Sequence, residues 1–146
     1  MRVVIQRVST ASVTIEGNLK SAIGYGLLVL AGFESSDTDE DIDWTSKKIT
    51  QLRIFADQNG VMNLSVKEVD GEILAVSQFT LYAKTKKGNR PSYIQAAPPD
   101  ISIPLYNQFV NILSENLGNE VQTGEFGAHM MVGLVRSGTI YLPRRK

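Results

Sequence analysis

The sequence has no cysteine and a single histidine, His129. The first absence removes disulfides, thiolate nucleophiles and every cysteine-based zinc, haem-attachment or iron–sulfur motif. Nothing in the chain then calls for an oxidising compartment. The second absence removes any two-histidine metal site within one chain and would force Ser–His hydrolase chemistry through one position. Long apolar runs are missing as well: the longest, Leu27–Ala31, is far short of the ~20 residues a membrane helix needs. The opening Met1-Arg2-Val3-Val4-Ile5 is not expected to be a signal peptide, because Gln6 and Arg7 interrupt it before an apolar core can form. An excess of either charge is also absent, with 15 Lys and Arg against 15 Asp and Glu, so a charged partner has to be held by a local patch. The expectation is a soluble, cytoplasmic protein with no membrane contact. Its 146 residues suit one domain spanning the chain, large enough to bury roughly 68–70% of its unfolded surface without staples.

What is present reads first as strands. Arg2–Val8 and Ala11–Ile15 are rich in Val, Ile and Thr, and Glu16-Gly17-Asn18 supplies turn chemistry after them. Leu27–Ala31 is apolar on both faces, as in a central strand covered on both sides. From Ser36 the pattern turns helical, with Asp37–Asp41 at the start, Ile42, Ile49 and Leu52 on one side and Lys47, Lys48 and Arg53 late. Asp57-Gln58-Asn59-Gly60 is a turn before a short strand, Met62–Val66, and Glu72–Thr80 reads as a second largely apolar strand. A polar loop follows, about Ala83–Pro99, of a length that usually carries function. Leu105, Phe109, Ile112, Leu113 and Leu117 define a helix over about Ile103–Leu117, with Gly118 as its cap. Val121–Thr123, Ala128–Arg136 and Thr139–Leu142 finish the chain as strands. This order argues for an α+β fold rather than a doubly wound sheet; the expected architecture is a mainly antiparallel, barrel-like twisted sheet with two main helices.

Few motifs carry chemistry by themselves. The alternating Asp37, Asp39, Asp41 and Asp43 look like a calcium loop, but the sixth and twelfth positions are Ile42 and Lys48 where Gly and Glu are required. Gly24 and Gly26 lack the third glycine of a dinucleotide fingerprint. His129 reads as an ordinary strand residue. Lys84, Lys86, Lys87 and Arg90, with the tail Arg144, Arg145 and Lys146, concentrate seven of the 15 basic residues in two short segments. Such segments suit phosphates, and equally an ordinary solvated loop and tail. Thr80 ends an apolar strand where the polar loop begins, a common place for a site and also a good strand position for threonine.

Ser77-Gln78-Phe79-Thr80-Leu81, followed by Gly88-Asn89-Arg90-Pro91-Ser92-Tyr93, resembles the signature of the D-aminoacyl-tRNA deacylases. The likeness extends in order through Gln6-Arg7-Val8-Ser9, Gly26-Leu27-Leu28-Val29-Leu30, Leu52-Arg53-Ile54-Phe55, Met62-Asn63-Leu64-Ser65 and Thr123-Gly124 with Phe126-Gly127-Ala128. The resemblance implies a hydrolase that cleaves the ester between a D-amino acid, or glycine, and the terminal adenosine of a transfer RNA. It implies a homodimer with sites at the subunit interface, no metal and no cofactor. By resemblance Ser77, Gln78, Phe79 and Thr80 form one wall of the pocket, with Phe126, Gly127 and Ala128 nearby, and Lys84, Lys86, Lys87 and Arg90 are the candidates for contact with the RNA.

An aminoacyl ester is already activated, so a positioned water and donors for the developing oxyanion suffice. The backbone amides of Phe79 and Thr80 are the candidate donors, and the Thr80 hydroxyl is assigned to orienting water or substrate. One departure stands out. The family carries a Gly-Pro pair whose cis peptide reaches into the partner's pocket and excludes L side chains; this chain has Gly138-Thr139. A cis bond before proline costs ~0.5–1 kcal/mol, and before another residue ~2.5–4 kcal/mol. Two readings follow: a cis bond with D-selectivity kept, or a trans bond with a pocket open to L substrates. A tRNA-binding protein without catalysis is the alternative from another class.

Overall fold

In the computed structural model of the chain, which describes residues 1–143, the first strand, β1 (Arg2–Ile15), runs unbroken through the interval at which the sequence suggests a break. Val3 and Ile5 face one layer of the core, and Val8, Ala11 and Val13 face the other. Strict alternation would return residues 11 and 13 to the face of 3 and 5. The register shifts between Val8 and Thr10, leaving Ser9 as the extra residue of a bulge that changes the face. One bulged strand therefore serves both layers.

Its first half pairs antiparallel with β3 (Gly26–Gly32), its second half with β2 (Asn18–Ile23), and its other edge along almost the whole length with β8 (Met130–Leu142). The two C-terminal strands read from the sequence are thus one. β6 (Glu72–Ser77) lies parallel to β3, and the short β7 (Gln122–Thr123) parallel to β6. The sheet is therefore mixed, and nearly barrel-shaped: β2 and β7, at opposite ends of the strand order, are tied by the Ser21 hydroxyl, which donates to the Thr123 carbonyl at 2.7 Å. β4 (Phe55–Ala56) and β5 (Met62–Leu64) form a separate hairpin over the Asp57–Gly60 turn.

Alternation on β3 and β6 separates the two layers. Leu27, Val29, Ala31, Ile73 and Ala75 pack toward the helices, while Leu28, Leu74 and Val76 fill the interior of the curved sheet. The helices are α1 (Asp39–Gln51) and α2 (Pro99–Leu117). α1 starts with a capping box: Thr38 Oγ1 accepts from the Asp41 N–H at 3.3 Å, and the Asp41 carboxylate accepts from the Thr38 N–H at 3.0 Å. The acidic run that imitates a calcium loop is thus a helix start. α2 begins at Pro99, earlier than the apolar spacing suggests; Pro99 needs no N–H partner at the first helical position, and the helix accommodates Pro104 in its second turn. Gly118 caps it in the left-handed conformation, φ 84°. No helix among the described residues is long and apolar enough to cross a membrane.

Candidate active site

β6 stops at Ser77, three residues before the strand end read from the sequence. Its partner β3 ends at Gly32, and the Gln78 N–H takes one of the last carbonyls there, Ala31, at 2.7 Å. The chain then closes into a single 3-10 turn, Phe79–Tyr82, in which the Leu81 N–H donates to the Gln78 carbonyl at 3.3 Å. The turn lies directly on Gly32: a Cβ there would sit 2.8 Å from the Gln78 carbonyl oxygen and within 3.3 Å of Leu81 and Tyr82. Arg2 holds the turn from below, donating to the Leu81 carbonyl at 3.0 Å with its guanidinium 4.4 Å from the Tyr82 ring centre. The Tyr82 hydroxyl donates to Glu34 at 3.2 Å, and burial, followed by the nearby Asp37 and Glu34 carboxylates, raises its pKa far above the ordinary phenol.

The facing wall is the turn after β7. Gly127 has φ 78°, the Ala128 N–H donates to the Glu125 carbonyl at 3.2 Å, and the Phe126 ring packs 6.1 Å from Tyr106. Tyr106 is fixed in turn by donating to the Ala75 carbonyl at 3.0 Å, and burial pushes its pKa up to about 12.

Between the walls lies a cavity of about 270 Å³ lined by Ser77, Gln78 and Phe79 on one side and Phe126, Gly127, Ala128, His129 and Met130 on the other. Phe79, Phe126 and Gly127 also border a second cavity of about 380 Å³, whose other walls include Tyr93, Ala96, Ala97 and Pro99. Phe79 is exposed and meets Tyr93 edge to face at 5.1 Å, which brings the long polar loop back to the pocket. Thr80 does not line either cavity. Its hydroxyl accepts from Gln78 Nε2 at 2.5 Å and so orients an amide that does line the first. The Phe79 and Thr80 N–H groups precede the first bonded N–H of the turn, that of Leu81, and have no backbone acceptor among the described residues.

His129 is the lining residue that sequence reasoning set aside; a lone histidine in a strand-like run carried no signal that it would reach the pocket. Gly138 and Thr139 are not in these cavities. They pair with Arg7 and Gln6 inside β8, and with no cis peptide bond among the described residues, the Gly138–Thr139 bond is trans. Lys84, Lys86, Lys87 and Arg90 are all exposed on the loop, where Lys84 makes a two-residue bridge with Ser92. Arg144, Arg145 and Lys146 lie outside the described residues. Among those described, no three His, Asp or Glu side chains gather as around a metal ion.

A sequence profile of the family described as D-Tyr-tRNA(Tyr) deacylase matches residues 4–142. A D-aminoacyl-tRNA deacylase of Bacteroides fragilis is 65% identical over 140 residues, 96% of this chain and 93% of that protein. One of Flavobacterium johnsoniae is 59% identical over the same shares of each chain. A solved structure described as c-Myc DNA Unwinding Element Binding Protein is 38% identical and superimposes over 100% of both chains with a TM-score of 0.95.

Proposed function

The chain belongs to the D-Tyr-tRNA(Tyr) deacylase family, and from that premise we propose that its reaction takes place in the cavity between Ser77–Phe79 and Phe126–His129. The activity is hydrolysis of the ester bond of a D-aminoacyl-tRNA, releasing the free amino acid and the tRNA. The observation that carries the assignment is the Phe79 N–H, which has no backbone acceptor among the described residues and belongs to a residue lining this cavity at the end of β6.

The terminal adenosine occupies the cavity of Ser77 and Gln78, and the aminoacyl side chain the apolar cavity beyond Phe79. Water attacks the ester carbonyl, and the oxygen that gains negative charge is met by donors already in place, which need not reorganise as the charge forms. Gln78, steadied by Thr80, orients the water or the ester. The bond to the ribose oxygen then breaks, that oxygen takes one proton of the attacking water, and the other passes to solvent as the amino acid leaves as a carboxylate.

A second copy of the chain completes the site. What supports this is β8, an edge strand on which Met131, Val135 and Tyr141 are exposed; exposed apolar edge strands are normally covered. Gly138 and Thr139, remote from their own chain's cavity, are then free to approach the partner's. Glycine mischarged on a transfer RNA fits the same chemistry, and the cytoplasm, where translation takes place, is the proposed setting.

Hydrolysis of matched D- and L-tyrosyl-tRNA tests the reading. The D ester is expected to be cleaved, and the L ester reads how far the trans Gly138–Thr139 bond relaxes the selectivity; no turnover of the D ester overturns the reading. Sedimentation of the same preparation should give twice the mass of one chain.

A further inference from the structure

Phe126 borders a third cavity, of about 590 Å³, which shares no other residue with the cavity of Ser77 and Gln78. α2 lines it with Tyr106, Asn107 and Asn111, and the turn and strand after the helix add Glu120 and Thr123. Asn107 and Asn111 stand one helical turn apart on the same face. Their amides and the Glu120 carboxylate are exposed and bonded to nothing else among the described residues. No lysine or arginine lines the cavity, so it is not built for a phosphate. It offers two neutral amides, one carboxylate and an aromatic wall, which together suit the edge and face of a nucleobase.

We infer that this cavity takes the base of the cytidine that precedes the terminal adenosine of the substrate tRNA. The inference rests on the assignment of the neighbouring cavity to that adenosine. A strand whose last nucleotide lies on one side of Phe126 has its preceding nucleotide within reach of the other side. A carboxylate accepts from the exocyclic amino group of cytosine. The amide N–H groups of Asn107 and Asn111 serve its ring nitrogen and carbonyl oxygen. Uracil presents a carbonyl where cytosine has the amino group, and two acceptors would then face each other at Glu120.

The experiment compares D-tyrosyl-tRNA ending in C-A with the same tRNA ending in U-A, using the intact protein and Glu120→Gln. The wild type is expected to favour the C-A end by about tenfold in kcat/KM, within the range of one well-placed base contact. Glu120→Gln replaces one acceptor by a donor and should bring the ratio near one, through a faster U-A substrate. Glu120 is exposed, so the substitution leaves the fold intact, and a gain on U-A cannot come from mere damage. Equal kcat/KM on both ends for the wild type, or an unchanged ratio in Glu120→Gln, overturns the inference while leaving the deacylase reading standing. No hydrolysis of either end by the wild type overturns that reading and this inference with it.

Discussion

Arg7 takes both oxygens of Ser137. Its Nε donates to the hydroxyl at 2.9 Å and one terminal nitrogen to the carbonyl at 3.1 Å, while the other terminal nitrogen donates to the Ile54 carbonyl. Ser137 is the extra residue where the register of β8 slips against β1, so its carbonyl is one that a regular ladder would not satisfy. The planar guanidinium serves three acceptors at once and lies 3.5 Å from where a Cβ of Gly138 would be. The segment that carries Gly138 and Thr139 is therefore anchored by a residue 130 positions away.

Arg7→Ala is expected to destabilise the protein by about 2 kcal/mol, the scale of charged hydrogen bonds lost with their acceptors left behind. Arg7→Lys should recover only part of it, since an ammonium does not reproduce the fork. Urea unfolding of the three proteins checks this.

Gly32→Ala should displace the turn that carries Phe79 and Thr80, because the added methyl group meets the Gln78 carbonyl at 2.8 Å. The cost is about 1–3 kcal/mol, typical of overpacking. Deacylation measured well below the melting temperature should fall even where the variant remains folded.

Thr80→Val removes the hydroxyl that accepts from Gln78 and keeps the shape. Single-turnover hydrolysis is expected to slow about tenfold, equal to loss of roughly one neutral hydrogen bond. KM should change little, and Thr80→Ser should restore the rate.

Replacing Lys86, Lys87 and Arg90 by alanine should raise KM and spare kcat. If each meets one phosphate, the slope of log affinity against log salt flattens by about 2 to 3 units. Filter binding of the tRNA over a salt series measures it, and an unchanged slope would remove these residues from the interface.

Asp57 gives an acid-side prediction. Its carboxylate accepts from the Val61 and Asn59 N–H groups at 3.1 and 2.8 Å, which hold its pKa below the usual aspartate value. The stability it contributes is present above the unfolded pKa, about 3.9, and is lost as pH falls through the lower folded value. In Asp57→Asn this part of the acid dependence should vanish, as followed by thermal melts between pH 5 and 2.5.

Much of this molecule is legible without coordinates. The apolar run Leu27–Ala31 is the doubly covered strand it promises to be, Gly118 caps α2, and Asp57–Gly60 turns the chain as its residues demand. The segment Ser77–Thr80 and the block Phe126–Ala128 stand out by resemblance, and Ser77, Gln78 and Phe79 share one cavity with that block. Less visible was the bulge at Ser9: it leaves no mark in composition, because the residues on either side remain good strand formers, and two short strands look the same as one bent one. Thr80 lies behind the cavity rather than in it, since the strand gives way to a turn once its partner ends at Gly32.

The sequence by itself limited what chemistry is available: no cysteine means no thiolate nucleophile, and one histidine means no two-histidine metal site within one chain. It also determined the family, through blocks of residues kept in order. Tertiary structure alone decided which groups meet. It put Arg7 on Ser137, set His129 across one cavity from Gln78, and made Phe126 the wall common to three cavities. Each of these pairs is far apart in the chain, and a local pattern of side chains records how a segment folds but not which distant backbone it will satisfy.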